Sequence, residues 1–202
     1  SDRKEILYNV SPEFALSSID DVPHPELYAY LEDEEASVLF WEILKQQPDK
    51  YYEYCAKIKA CPVGSCDVVG TLGNLGRKNK LPHNSIAIVD GDKRADFPLC
   101  FALPGDKAPE RQILTDLKAI NWSQLDRRFG IGAGSLFKLL DDAILLQDHH
   151  NWTTYIGDRL RKSSASVWST LVEEWCTQCL TEEYKTLFFQ TIENALNGVP
   201  QE

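Results

Sequence analysis

Two aspartates separated by a single glycine, Asp90-Gly91-Asp92, follow directly on Ser85-Ile86-Ala87-Ile88-Val89 and precede Lys93-Arg94. The β-branched run from Ile86 to Val89, bounded by turn formers, reads as a buried strand. Open α/β sheets place their chemistry in the crevice beyond the carboxyl ends of the strands, where these two carboxylates would project. Carboxylates at i and i+2, with glycine between them permitting close approach, suit a hard divalent cation such as Mg²⁺. Further ligands must come from other segments. Leu27-Tyr28-Ala29-Tyr30-Leu31 reads as a first strand, and Glu32 closes it. Asp33, Glu34 and Glu35 precede a helical period (Ala36, Val38, Leu39, Phe40, Ile43, Leu44), where acids favour the positive end of the macrodipole. Glu32, at the strand's carboxyl end, instead occupies a site position.

The elements that must hold these acids follow in an alternating order. Lys57 to Val63 reads as a second strand, broken at Gly64-Ser65, and Val68, Val69 and Leu72 as a helix leading toward Arg77-Lys78-Asn79-Lys80. After the aspartate strand, Phe97 to Leu103 reads as a fourth strand closed by Pro104-Gly105-Asp106. Pro109-Glu110-Arg111 opens a helix, with proline where a first turn tolerates it. Strands alternating with helices imply a mostly parallel sheet flanked by helices. Beyond about residue 110 strand signals cease. Helical blocks are expected around Leu136–Leu145, Tyr155–Leu160, Val167–Trp175 and Leu187–Leu196, and Gly130-Ile131-Gly132-Ala133-Gly134 lacks the spacing of a dinucleotide fingerprint and reads as a helix-to-helix turn. The resulting division is a lead-in over 1–26 with Pro12, Pro23 and Pro25, an α/β unit over 27–120, and a helical appendage over 121–202.

The order of these motifs resembles the Toprim domain, the metal-binding fold shared by topoisomerases, DnaG-type primases and several nucleases. Within it, Tyr30-Leu31-Glu32-Asp33-Glu34-Glu35-Ala36, Pro62-Val63-Gly64-Ser65-Cys66, Val89-Asp90-Gly91-Asp92 and Leu103-Pro104-Gly105 with Pro109-Glu110 are similar to the nuclease half of OLD-family proteins. In that family an ABC-type ATPase precedes a Toprim nuclease and a helical tail. The resemblance implies Glu32, Asp90 and Asp92 as primary ligands of one or two Mg²⁺ or Mn²⁺ ions, with Glu110 completing a two-metal site. Many members have glycine after the first glutamate and an acid four residues on; here Asp33 and Ala36 stand there, so Glu35 is the substitute ligand. For the family's basic residue near the scissile phosphate, Lys93 and Arg94 follow the aspartates directly, with Lys162, Lys107 and Arg111 as rivals that spacing does not separate. Arg77, Lys78, Lys80, Arg94, Lys107 and Arg111, with Arg127 and Arg128, are candidates to track a phosphate backbone. The implied activity is cleavage of DNA phosphodiesters by a two-metal mechanism, in a cytoplasmic chain that also dimerises or meets its ATPase region.

Composition sets the outer limits. The chain has 202 residues, 43% of them apolar, which suffices for a core and excludes general disorder. A net charge of −10 argues against a non-specific nucleic-acid coat but does not exclude a nuclease, whose metal carboxylates make the site acidic and whose DNA-facing basic residues can be local. No 18-residue apolar run is present. The chain contains no methionine and no GxxxxGK[ST] loop, which suits an excised nuclease half of a longer protein. The six cysteines are scattered, and small buried thiols in a reducing compartment are expected rather than zinc ligands. In Asp148-His149-His150-Asn151-Trp152 adjacent histidines on a helix would face different ways, a poor chelating pair. Two other functions compete. One is a Toprim fold serving assembly with little cleavage of its own. The other is a haloacid-dehalogenase-like phosphatase, disfavoured because Arg94 stands where that family has Thr or Val and because its Asp-x-Asp usually ends the first strand.

Overall fold

The computed structural model describes residues 24–120 and 124–199, so most of the 1–26 lead-in lies outside the described residues. Among them are four strands and nine α-helices. Strand β1 (Leu27–Leu31) is followed by helices α1 (Glu34–Leu44) and α2 (Pro48–Lys57), then β2 (Ile58–Pro62), α3 (Cys66–Arg77) and β3 (Asn84–Val89). A 3₁₀ turn at Gly91–Lys93 leads to β4 (Phe101–Ala102) and α4 (Pro109–Ala119). Helices α5 (Leu125–Phe129), α6 (Ser135–Ile144), α7 (Trp152–Leu160), α8 (Ser164–Gln178) and α9 (Glu182–Leu196) complete the chain, with a second 3₁₀ turn at His149–Asn151 before α7. The strands are parallel, in the order β2-β1-β3-β4. The expected α/β class therefore holds: a parallel sheet flanked by helices.

Alternation along β1 and β3 decides what covers each face. Leu27, Ala29 and Leu31 of β1 join Ile86 and Ile88 of β3 in the large core with α1, α4, α8 and α9. Ala87 and Val89 turn the other way and meet Val69 of α3 and Ala102 in a second, smaller core. Helix α3 comes close because Gly73 faces the sheet: a Cβ there would lie 2.9 Å from Cys100 Sγ and 3.0 Å from Ala87 Cβ.

The helices after residue 120 share the large core with the sheet. Polar contacts fix them in place as well. Trp168 Nε1 donates to the Glu35 carbonyl at 3.0 Å, Tyr184 Oη to the Ala102 carbonyl at 2.9 Å, and Trp175 Nε1 to Asp116 at 2.8 Å. The glycine-rich stretch is the helix-to-helix turn the sequence suggested. The buried Asp126 carboxylate spans it, accepting the Gly134 and Leu136 N–H groups at 2.9 Å each.

Two elements differ from the sequence reading. The fourth strand shrinks to Phe101–Ala102, because Phe97 to Cys100 are spent on turns, with Phe97 N–H on Lys93 O and Cys100 N–H on Phe97 O. Pro98 within that stretch has no N–H to give a ladder. Helix α2 had no counterpart in the hydrophobic pattern, since Tyr54 is its single fully buried residue. Pro48 at its first turn was the available signal.

Tyr54 also anchors α9 to α2. Its hydroxyl lies 2.7 Å from Glu193 Oε1, which Lys50 Nζ meets at 2.8 Å. Lys50 and then Tyr54 hold the Glu193 carboxyl below its ordinary value. A depressed folded-state value contributes stability above the unfolded one, near 4.3, that is lost as pH falls through it. The difference in unfolding free energy between wild type and Glu193→Gln should thus be largest at neutral pH and close below about pH 4. Denaturant unfolding at pH 7 and pH 3 measures it; an undiminished gap at pH 3 would contradict the assignment.

Candidate metal centre

Strands β1 and β3 pair in parallel, Leu27 with Asn84 through Tyr30 with Ala87, so their carboxyl ends finish side by side. Glu32 and Asp90 follow directly, and the Asp90 N–H donates to Glu32 Oε1 at 3.1 Å. Glu32 is itself tied back to the β2 end, its carbonyl accepting the Gly64 N–H at 2.7 Å. Asp92 lies in the 3₁₀ turn, exposed, with Lys93 Nζ at 3.1 Å. Glu110 enters from the first turn of α4 and is 4% exposed.

Gly91 makes this turn possible. A Cβ at this position would fall 2.7 Å from the Gly105 carbonyl oxygen and 3.1 Å from that of Lys107. Both are backbone atoms, so the clash has no side chain to yield. The guanidinium of Arg94 closes the same junction, donating to the carbonyls of Leu103 and Gly105 at 3.3 and 3.2 Å.

The electrostatics of the cluster are unbalanced. Burial, and then the carboxylates of Glu32, Asp33, Asp92 and Glu110, push the Asp90 carboxyl up to about 8. Asp90 Oδ1 is buried without a hydrogen-bond partner among the described residues. Burial raises Glu32 too, although the Asp90 N–H and Lys93 pull it back. Asp92 raises Lys93. Buried polar atoms are ordinarily satisfied, so an orphaned carboxylate oxygen facing other acids is a position that a cation would satisfy. All the donors here are hard oxygens, which fits Mg²⁺ or Mn²⁺.

Other residues singled out from the sequence are placed differently. Asp33 caps α1, accepting the Ala36 N–H at 2.8 Å, and Glu35 is exposed in the first turn of that helix. Lys162 is exposed in the turn after α7. Arg77 Nε is engaged by the Leu99 carbonyl at 3.0 Å, and Arg111 by the Gln147 carbonyl at 3.3 Å and the Trp152 ring. Arg128 pairs with Glu173 and Glu174. Lys78, Lys80, Lys107 and Arg127 are exposed.

The histidine pair overturns its expectation. His149 and His150 lie in a 3₁₀ turn, not a helix, with ring centroids 4.1 Å apart. Both face Glu110: His150 Nδ1 is 3.1 Å from Oε1 and His149 Nε2 is 3.9 Å from Oε2. Burial holds His149 below its usual value. Among the described residues, Glu110, His149 and His150 are the set of three ligand-type side chains whose donor atoms all lie within 4.8 Å of one another; Glu32, Asp90 and Asp92 are spaced more widely. The flanking Asp148 and Asn151, both turn formers, were the overlooked signal.

Comparison with protein-family models, with curated proteins and with solved structures finds no match. Residue chemistry therefore carries the functional reading alone.

Two outcomes follow for the metal-free chain at neutral pH. With its carboxyl pushed up to about 8, Asp90 is mostly protonated in the folded chain at neutral pH but ionised when unfolded, so folding must take up a proton. Asp90→Asn removes that cost and should raise the melting temperature, by roughly 2–4 °C for each kcal/mol relieved. Gly91→Ala should lower stability by about 1–3 kcal/mol through overpacking against backbone. Thermal melts in chelator check both; an Asp90→Asn variant no more stable than wild type would show that burial and neighbouring acids do not raise the Asp90 carboxyl.

Proposed function

We propose that this chain is a divalent-metal-dependent endonuclease, cutting DNA phosphodiesters at the carboxyl edge of a Toprim-like unit. The observation that carries this reading is the orphaned, buried Oδ1 of Asp90 set against Glu32 at the ends of adjacent parallel strands. On this reading 27–120 is the catalytic unit and the chain is the nuclease part of a larger OLD-type ATPase-nuclease. An ABC-type ATPase region and a second copy of the chain are its proposed partners, besides DNA.

Glu32, Asp90 and Asp92 would hold Mg²⁺ or Mn²⁺, with Glu110 as the further carboxylate. Bound there, the ions supply Lewis acidity toward phosphoryl oxygen and a water of lowered pKa. The protein's own share is positional. Glu32 fixes the Asp90 backbone through its N–H, and Gly91 presses the aspartate turn onto the loop before α4, holding the acids on two elements in register. Lys93, beside Asp92, is the basic group set next to the acids and is assigned to the substrate phosphate in preference to Lys162. Exposed Lys78, Lys80 and Lys107 remain free to track the DNA backbone, whereas Arg77, Arg94 and Arg111 already serve carbonyl groups.

Supercoiled plasmid incubated with the chain should be nicked or linearised with Mg²⁺ or Mn²⁺ and remain intact with EDTA. Asp90→Asn and Asp92→Asn should each lower the rate by about 100-fold or more, the several kcal/mol that a bound ion contributes. Absence of cleavage by wild type with either ion, on plasmid and on single-stranded DNA, would sink the proposal and leave an assembly module.

A further inference from the structure

Glu110 is almost wholly buried, yet its ion-pair contacts among the described residues are with imidazoles, which need not carry charge. Its two oxygens each address one ring, Oε1 toward His150 Nδ1 and Oε2 toward His149 Nε2. The turn that presents the rings is held from several sides. Asp148 accepts the His150 N–H at 3.1 Å and the Asn151 side-chain amide at 3.0 Å. Trp152 Nε1 donates to the Leu146 carbonyl at 3.0 Å, and its ring meets His149 edge-on. Arg111, one residue beyond Glu110, donates to the Gln147 carbonyl and lies over the Trp152 ring. The helix bearing the carboxylate and the turn bearing the imidazoles are therefore fastened to each other.

We propose that Glu110, His149 and His150 form a nitrogen-rich site for a borderline divalent ion of the Zn²⁺ class, distinct in donor chemistry from the all-oxygen cluster at Glu32, Asp90 and Asp92. The site rests on the proposed function only in treating Glu110 as a ligand carboxylate. Two imidazoles and one carboxylate with an open position is a donor set for zinc, and imidazole nitrogen favours such ions over Mg²⁺. Ligand atoms around one tetrahedral Zn²⁺, at about 2.0–2.2 Å, sit about 3.4 Å from one another. The three donors here lie within 4.8 Å, so side-chain rotation rather than backbone movement closes the shell. His150 is 61% exposed on its side chain, which leaves the ion an approach from solvent and a free position for water. The chain then holds two sites of different preference, and Glu110 stands at the boundary, close enough to raise Asp90.

The test is a Co²⁺ titration of the tag-free chain after chelator treatment, followed by visible absorption. Wild type should develop ligand-field bands that Zn²⁺ displaces at stoichiometric amounts and that excess Mg²⁺ leaves in place. His149→Gln and His150→Gln should each weaken Co²⁺ binding by at least about tenfold, the size of effect that even outer partners of a metal site carry. Asp90→Asn should keep the bands, and circular dichroism melts verify that each variant is folded. Absent bands, bands unchanged in both histidine variants, displacement by Mg²⁺, or thiolate charge-transfer absorption from the cysteines would each overturn the site. Plasmid cleavage on the same samples separates the two proposals. Bands without cleavage leave this site standing and remove the nuclease reading; Mg²⁺-dependent cleavage without bands does the reverse.

Discussion

Parallel strands β1 and β3 end side by side, and each is followed at once by an acid. The Glu32 carboxylate turns toward the Asp90 backbone rather than away from it, accepting its N–H. Neighbouring acids in partly desolvated surroundings disfavour one another's charged form, and a fold arranged only for stability would separate them or pair them with arginine. Here the nearest arginine to the turn, Arg94, is committed to the carbonyls of Leu103 and Gly105. The positive charge beside the acids is Lys93, which meets Asp92 and leaves Asp90 Oδ1 without a partner among the described residues. The core has the means to tolerate this. Leu27, Ala29, Leu31, Ile86 and Ile88 are buried beneath α1, α4, α8 and α9, and each large aliphatic side chain so buried is worth about 1.5–3 kcal/mol.

The parts of this arrangement that the sequence disclosed are those governed by local rules. Burial alternates along β1, and it is continuous from Ile86 to Val89 of β3, a strand covered on both faces; both are local patterns, so the strands, their ends and hence Glu32 and Asp90 were readable. Gly91 was readable as a site of close approach, although its partner, the backbone at Gly105 and Lys107, lies across a loop and could not be named. What escaped depends on contacts distant in sequence. The His149–His150 turn acquires meaning from Glu110, some forty positions earlier, and the assumption of a helix there separated two rings that the 3₁₀ turn brings together. Phe97 to Cys100 carries strand-like residues that tertiary context diverts into turns over α3. Arg94 and Arg111 show the same limit: a basic residue near a candidate site reads as a phosphate ligand until its carbonyl partners are seen.

The carboxyl-terminal helices do more than fill space. Trp168 fastens α8 to the first turn of α1, directly after Glu32 and its capping neighbour Asp33, while Tyr184 fastens α9 to β4. Helix α4 takes Glu110 into the interior and is linked through Asp116 to Trp175 of α8. The helix that follows Glu32, the strand beside β3 and the helix that carries Glu110 are thus each fastened to a helix from the second half of the chain.

The loop between β4 and α4 has a consequence of its own for what the sequence can become. Its backbone is gripped at Leu103 and Gly105 by Arg94, and Gly105 and Lys107 lie against Gly91, while Pro109 and Glu110 at its far end are buried. A segment pinned at both ends and in the middle has no slack. An inserted or deleted residue there has nowhere to be absorbed, so its length is as constrained as the identity of any ligand, in contrast to the exposed turn around Lys78 to Lys80.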